Sequence, residues 1–191
     1  SRAELPSSAS GTVSTFTERI VHERDLYNPG LSGRTFLGED FRANKSQTFS
    51  FTLPDNASGD AVAHVRFGTH TSNGTSFIVV SANGKQLPAG TSDEIKPCGK
   101  DQFMNMTSSV KEIEGCGDKL DIKIDFSYSG ALFHAGLDYI EVFYERSLSL
   151  RDGQLYFFDS YSGSEEVRVT GCSDSTQIWD VTDRFAPALV T

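Results

Sequence analysis

The sequence lacks the features that mark several large classes of protein. Its 17 lysines and arginines are outnumbered by 26 aspartates and glutamates, and the net charge of -9 leaves no basic stripe for nucleic acid or an anionic membrane. It has no run of eighteen apolar residues, so no segment predicts a membrane span. It also has no paired-histidine metal motif, phosphate-binding loop or serine elbow. We therefore expect no nucleic-acid partner, no cofactor and no metal.

Cysteine is scarce, and its spacing leaves two interpretations open. Cys98, Cys116 and Cys172 lie far apart and form no CxxC pair, which disfavours a zinc site. Cys98 and Cys116 bracket a polar loop with glycines beside both thiols, which suits one disulfide in an oxidising compartment. The alternative is three reduced thiols. No histidine follows Cys172, and neither of the other two cysteines has the setting of a nucleophile, so we predict no active site within this chain.

Helical periodicity is also scarce, whereas alternation of apolar and polar residues is frequent. It runs through residues 120–128, 49–53 and 63–67, as expected for strands with one dry and one wet face. Asn83-Gly84 after an apolar run predicts a tight hairpin turn. Residues 137–144 are apolar on both faces and predict a central strand. Further strands are predicted at residues 12–22, 154–159, 166–170 and 176–182.

These strands predict an all-β fold, a jelly-roll-like β-sandwich with a small β appendix at its C-terminal end. We divide the chain into a flexible lead or edge strand at residues 1–12, a sandwich at 13–146 and a short β extension at 147–191. The sequence begins at Ser1 without an initiator methionine, and no terminal signal closes it. Both ends suggest a module cut from a longer polypeptide.

One long loop and one tryptophan are the candidate binding features. Residues 22–41 hold three glycines, a proline and mixed charges, and a loop of this length in a compact domain is often functional. A binding surface there would be built from Asn28, Arg34 and Glu39. The alternative is a self-satisfied loop in which Arg34 pairs with Glu39 or Asp40 while two phenylalanines, at positions 36 and 41, plug the core. Trp179 is either a sugar-stacking platform or an anchor in a core or interface.

Four segments carry a resemblance to a known family. They are Ile20-Val-His-Glu23, the loop at residues 32–39, the stretch that begins Leu137-Asp-Tyr-Ile, and above all Ile178-Trp-Asp-Val-Thr-Asp with the following proline. Together they resemble the amino-terminal region of the PorU family, the gingipain-like cysteine peptidases (sortases) of the type IX secretion system in Bacteroidetes. The likeness spans most of the chain through scattered short patterns.

The resemblance implies a place at the bacterial cell surface, associated with the outer membrane. Proteins of this family remove carboxy-terminal sorting signals from cargo and help to attach the cargo to an anionic lipopolysaccharide. Their catalytic Cys-His pair belongs to a caspase-like domain that would follow residue 191, and no position of this chain matches it. The resemblance thus implies a non-catalytic β-domain whose partners are the downstream catalytic domain, cargo proteins and other secretion components.

A second function remains open. Asn83-Gly84 and Leu137-Asp-Tyr-Ile are also similar to patterns of galactose-binding-like modules. That likeness implies a carbohydrate-binding module of a secreted or surface protein, with a surface glycan as partner. It is a fold analogy and names no sugar.

Overall fold

The computed structural model describes residues 2–3, 11–31, 33–87, 93–99, 103–151, 153–158 and 165–190. Within these ranges the chain forms strands and no helix, so nothing there has the helical length and hydropathy of a membrane crossing. The all-β class predicted from the sequence is confirmed. The strands are β1 (Arg2–Ala3), β2 (Gly11–Val13), β3 (Thr15–Glu23), β4 (Ser46–Thr52), β5 (Ala61–Ser72), β6 (Ser76–Ala82), β7 (Lys85–Gln86), β8 (Asp93–Ile95), β9 (Asn105–Ile113), β10 (Lys119–Tyr128), β11 (Ala131–Ser147), β12 (Glu165–Val167), β13 (Ile178–Asp180) and β14 (Ala188–Val190).

Two compact units divide the chain. The sandwich unit is Glu18–Glu145, and the terminal unit combines Ser1–Thr17 with Arg146–Thr191. In the sandwich unit one sheet has the order β4-β10-β6-β7, with β8 also paired to β6, and the other has the order β3-β11-β5-β9. The ladders of β10 with β4 and β6, and of β5 with β11 and β9, are antiparallel. These two sheets form the predicted β-sandwich.

Alternating apolar side chains from both sheets form the core of the sandwich unit. Along β10, the four side chains that face inward are at most 4% exposed, and they are Leu120, Ile122, Ile124 and Phe126. Phe67 of β5 is fully buried and joins the two sheets, since its ring centroid lies 5.5 Å from that of Phe126. Phe41, from the loop after β3, packs edge-on against Phe67 at 4.9 Å. Burial of these aliphatic and aromatic side chains stabilises the sandwich.

The hairpin between β6 and β7 has the geometry that its sequence predicts. Asn83 and Gly84 both have positive φ, at 47° and 79°, and Ala82 pairs with Lys85 across the turn. Positive φ at both central positions is the condition for a type I′ turn, whose twist matches that of the flanking strands. Local turn chemistry therefore determines where this hairpin reverses.

Strand β9 has no counterpart among the predicted strands. Its inward positions include Ser109 and Lys111, both buried, while Val110 faces outward and is 60% exposed. Asp93 of β8 satisfies the two buried polar groups: the Ser109 hydroxyl donates to it at 2.7 Å, and Lys111 Nζ lies 3.1 Å from its Oδ2. The strand escapes sequence-based prediction because its polar residues occupy the positions that normally mark the dry face.

The terminal unit holds two small sheets. β2 pairs with β12 in parallel, and β14 lies between β1 and β13. Phe16 and Leu148 are buried, and the Phe16 ring lies 5.9 Å from Phe157. Of the predicted strands in this region, those at residues 166–170 and 176–182 overlap β12 and β13.

One predicted strand of the terminal unit, at residues 154–159, is wrong over the part that the structure describes. Gln154 forms only an isolated bridge with Arg151 around Gly153, and residues 155–158 join no ladder with described residues. Phe157 packs its ring on Phe16 instead. Position 159 lies outside the described residues, as does most of the predicted lead at 1–12.

Candidate functional site

The long loop after β3 lies against β11 of its own sheet. The Gly38 N–H donates to the Leu137 carbonyl at 2.7 Å, and the Leu137 N–H donates to the Glu39 carbonyl at 3.1 Å. The Phe41 N–H donates to the Ala135 carbonyl at 2.8 Å. The end of the loop is therefore held by backbone hydrogen bonds, as a short strand would be.

Two side chains anchor this loop in the core, and one of them differs from the sequence-based expectation. Phe41 is fully buried, as expected, but Phe36 is 40% exposed. Leu37 takes the second core position and is fully buried. The prediction for Phe36 is wrong because Leu37 pairs with Tyr27 across the loop, which turns the neighbouring side chain outward.

Glu39, one of the three candidate binding residues of the loop, is engaged inside the sandwich unit. Its Oε1 lies 3.0 Å from His22 Nε2 and 3.5 Å from Arg24 Nη1. Its Oε2 is buried and has no hydrogen-bond partner among the described residues. One oxygen of this carboxylate thus holds the loop against the end of β3.

Asn28 and Arg34, the other two candidates, form no hydrogen bond or ion pair with Glu39 among the described residues. The Asn28 side chain stabilises the turn in which it lies. Its Oδ1 accepts a hydrogen bond from the Gly30 N–H at 3.1 Å, and its Nδ2 donates one to the Gly33 carbonyl at 3.4 Å. Arg34 is exposed, and within the described residues it forms no ion pair with Glu39 or Asp40. The alternative pair of Arg34 with Glu39 or Asp40 is therefore not formed, whereas the binding role of Asn28, Arg34 and Glu39 stays a prediction; Ser32 beside them lies outside the described residues.

A compact polar group sits at the base of the loop. Arg42 Nε lies 2.8 Å from Asp40 Oδ2 and 3.0 Å from Oδ1. Burial alone would raise the pKa of Asp40, but the hydrogen bonds and positive charge of Arg42 outweigh it and lower that pKa below its usual value.

Tyr27 lies close to this pair, and its hydroxyl is buried without a hydrogen-bond partner among the described residues. Burial, reinforced by the charge of Asp40 and opposed by Arg42, raises the pKa of Tyr27 to about 12.

Removing that hydroxyl gives a pH-dependent prediction. Tyr27→Phe should raise the free energy of unfolding at pH 7 by about 1 kcal/mol, because it deletes a buried unpartnered polar group. The folded protein holds the phenol proton more tightly than the unfolded chain, so the wild type loses stability as the pH rises from about 10 to 12. Urea titrations across that range should show a flatter decline for the variant. Parallel declines, or a less stable variant at pH 7, would contradict this account of Tyr27.

Two histidines face each other beside this group, on the outer face of the sheet. His70 of β5 pairs directly with His134 of β11, and their ring centroids are 6.2 Å apart. Both Nδ1 atoms are buried and lack hydrogen-bond partners among the described residues. Phe103 and Phe133, each about half exposed, pack against His70 at 5.3 and 4.9 Å. Burial lowers the pKa of His134, and the positive charges of Arg42 and His70 add to the effect while Asp40 opposes it.

Ion pairs cover the other end of the same outer face. Arg19 of β3 bonds to Glu141 of β11, whose second oxygen lies 3.7 Å from His64 of β5. Arg66 Nε lies 3.2 Å from Asp138. Exposed pairs of this kind contribute little stability individually, but they satisfy the polar face of the central strand β11. The residues that sequence analysis missed are thus the two paired histidines at the opposite end.

All three cysteines are free thiols. The Cys98 thiol lies 3.7 Å from the Thr69 carbonyl, while that of Cys116 lies 3.8 Å from Asn56. Burial raises the pKa of both thiols. Of the two alternatives, the structure contains reduced cysteines, because Cys98 precedes β9 and Cys116 follows it, which places them at opposite ends of one extended strand.

Trp179, the fourth candidate binding residue, lies in β13 of the terminal unit and is 50% exposed. It belongs to a set of exposed apolar side chains, which we call the apolar set of the terminal unit. Its members are Tyr156, Phe158, Val167, Ile178, Trp179, Val181 and Phe185. Phe158 and Phe185 are the most exposed, at 78% and 82%.

Comparisons with known proteins identify a fold and no family. No family model matches the sequence, and no curated protein matches it. Among solved structures, dimeric latent PorU from Porphyromonas gingivalis is similar over 97% of this chain, with a TM-score of 0.76 and 19% sequence identity. The chain spans only 18% of that PorU chain. The resemblance to PorU expected from the sequence is thereby confirmed at the level of the fold.

A family 35 carbohydrate-binding module from Clostridium thermocellum is a second similar structure. The match covers 67% of this chain and 90% of the module, at a TM-score of 0.38 and 13% sequence identity.

Proposed function

We propose that this chain is a non-catalytic β-domain of a PorU-like protein of a type IX secretion system. In this proposal it docks onto the rest of a longer polypeptide and helps to recognise cargo, while a cysteine peptidase domain elsewhere in that polypeptide removes carboxy-terminal sorting signals. The protein would act at the bacterial cell surface, associated with the outer membrane. The observation that carries the proposal is the shared fold, which extends over 97% of this chain but only 18% of PorU.

The chemistry of the described residues supports a non-catalytic role. A cysteine nucleophile needs a histidine within hydrogen-bond reach. Within the described ranges the thiols contact Thr69, Asn56, Gly117 and Val169, and no hydrogen bond joins a thiol to a histidine. The raised pKa of Cys98 and of Cys116 favours the unreactive protonated thiol.

The apolar set of the terminal unit supports the docking role. Among the described residues, the terminal unit exposes seven large apolar side chains and buries only Phe16 and Leu148, whereas the sandwich unit exposes eight but buries a full core. Covering an aromatic side chain on association removes apolar area from water and stabilises the contact by about 25 cal/mol per Å² before the costs of association. In this proposal the apolar set contacts a neighbouring domain of the same polypeptide.

Substitution of the two most exposed aromatics tests this docking role. In the gene that encodes the chain, Phe158→Ser with Phe185→Ser should reduce cargo processing about tenfold or more, since a few buried aromatic anchors carry most of the energy of an interface. The measurement is the fraction of a secreted cargo that retains its sorting signal, read by mass spectrometry.

The matched control is Leu31→Ser, which removes an exposed apolar side chain (94% exposed) from the sandwich unit. We expect normal processing in this variant. Normal processing in the double variant, with the protein present at the wild-type level, would overturn the docking role.

The carbohydrate-binding alternative stays a prediction. Its residue candidate is Trp179, whose half-exposed ring is accessible for stacking. A saturable change in Trp179 fluorescence on titration with lipopolysaccharide-derived glycans would favour it over docking.

A further inference from the structure

Four side chains with soft or borderline ligand atoms lie together on the outer face of the second sheet. His70 pairs with His134, and Gly68 pairs with Met106 on one side and Gly136 on the other. Residues two apart on a strand face the same side, so Gly68 and His70 are neighbours on this face. The missing side chain at Gly68 leaves the space that the methionines occupy.

The sulfur positions follow from the geometry at Gly68. A Cβ added there would lie 2.6 Å from Met104 Sδ and 2.6 Å from Met106 Sδ. Both thioethers therefore lie close to one point, next to the paired histidines. A methionine side chain has three rotatable bonds and adapts to a ligand with little strain. Glycine is thus what allows two sulfur atoms to lie directly on the backbone of β5.

The histidines supply the nitrogen atoms. Their Nδ1 atoms are buried and have no hydrogen-bond partner among the described residues, although a buried imidazole nitrogen normally has one. Their ring centroids are 6.2 Å apart, so the two rings need to approach each other by about 1 Å for both to bind one four-coordinate metal at about 2 Å. Phe103 lies 5.6 Å from His134 and 5.3 Å from His70, which limits the access of water to this point.

We propose that His70, His134, Met104 and Met106 form a binding site for Cu(I). Two imidazoles and two thioethers make a soft ligand set, which selects Cu(I) over the hard cations that prefer oxygen. Within the described residues no group of three or more histidines, cysteines, aspartates or glutamates is placed to hold a metal, so a site for zinc or calcium has no such support there. Among the described residues, the charged side chains that act on His134 are Arg42 and Asp40, which bond to each other. This site is independent of the proposed docking role.

Competition for copper tests the site. The 191-residue chain should carry Cys98→Ser and Cys172→Ser, because accessible thiols also bind Cu(I). Under anaerobic, reducing conditions it should withdraw one equivalent of Cu(I) from bathocuproine disulfonate. X-ray absorption at the copper edge should then show both nitrogen and sulfur neighbours. Zn(II) should not compete at equal concentration.

Two variants and a control connect the copper to these side chains. Met104→Leu with Met106→Leu conserves volume, and His134→Gln keeps a polar side chain, so both should fold normally by circular dichroism. Each should weaken Cu(I) binding by about 100-fold or more, since even outer residues of a metal site affect affinity 10- to 100-fold. His64→Gln, at the ion-paired end of the same face, should bind copper as the parent chain does.

The sulfur signal should also disappear from the absorption spectrum of the double leucine variant. Failure to withdraw copper from the chelator would overturn the site. Unchanged affinity in the double leucine variant would do so as well, because the thioethers of Met104 and Met106 would then not be ligands.

Discussion

Replacing Phe67 by alanine is expected to lower the free energy of unfolding by about 3–5 kcal/mol. Phe67 is fully buried and contacts Phe126 across the sandwich and Phe41 of the loop. Truncation removes the apolar contact area and leaves a cavity between two sheets that cannot fully collapse. Urea unfolding followed by far-ultraviolet circular dichroism measures the loss.

The loop should respond together with the core. Because Phe41 packs on Phe67, the Phe41 amide, which donates to the Ala135 carbonyl at 2.8 Å, should exchange its hydrogen faster in the variant. Phe185→Ala is the matched control: this side chain is 82% exposed, and its loss should change stability by less than about 0.5 kcal/mol. A loss below about 1 kcal/mol for Phe67→Ala would mean that the two sheets do not share this core.

Gly130→Ala is expected to cost more than about 2 kcal/mol of stability. Gly130 immediately precedes β11 and has a φ of 75°, a conformation that side-chain-bearing residues rarely adopt. A Cβ there would lie 2.5 Å from the Ser72 carbonyl oxygen and 2.8 Å from that of Asn73. Because both contacts are backbone atoms, the turn itself must shift, and the start of the β5–β11 ladder shifts with it.

Gly59→Ala separates the contact from the dihedral angle. Gly59 has a φ of 76°, nearly that of Gly130, but nothing lies within 4 Å of an added Cβ. It should cost only about 1 kcal/mol, the usual penalty of positive φ without a clash. Thermal unfolding of the two variants side by side gives the comparison. Equal losses in both would show that the close approach to Ser72 and Asn73 has no energetic effect.

The fold was predictable where a strand has one dry and one wet face. Residues 120–128 alternate strictly and form β10, and the asparagine–glycine turn at 83–84 lies where its chemistry predicts. β9 was not predictable, because Lys111 and Ser109 point inward and only their pairing with Asp93 of β8 makes that orientation stable. That pairing joins residues from two sheets, which a local pattern does not contain.

The candidate site was less predictable than the fold. The length of the loop at 22–41 was a correct signal of an unusual segment, but the partner of Glu39 is Arg24 with His22, and Asp40 pairs with Arg42. The proximity of His70 and His134 depends on the register of β5 and β11, which is shifted between residues 132 and 134. Such bulges redirect side chains and carry no clear sequence signature here. The histidine pair therefore emerges only from the three-dimensional structure.

Reconstitution from separate parts tests the central proposal, that this chain is a non-catalytic docking domain of a peptidase. The 191-residue chain and the rest of the longer polypeptide that the proposal requires would be purified separately, and cleavage of a cargo sorting signal would be measured for each alone and for the mixture. We expect no cleavage by the chain alone and faster cleavage by the remainder once the chain is added. Cleavage by the isolated chain, or an unchanged rate on mixing, would contradict the account.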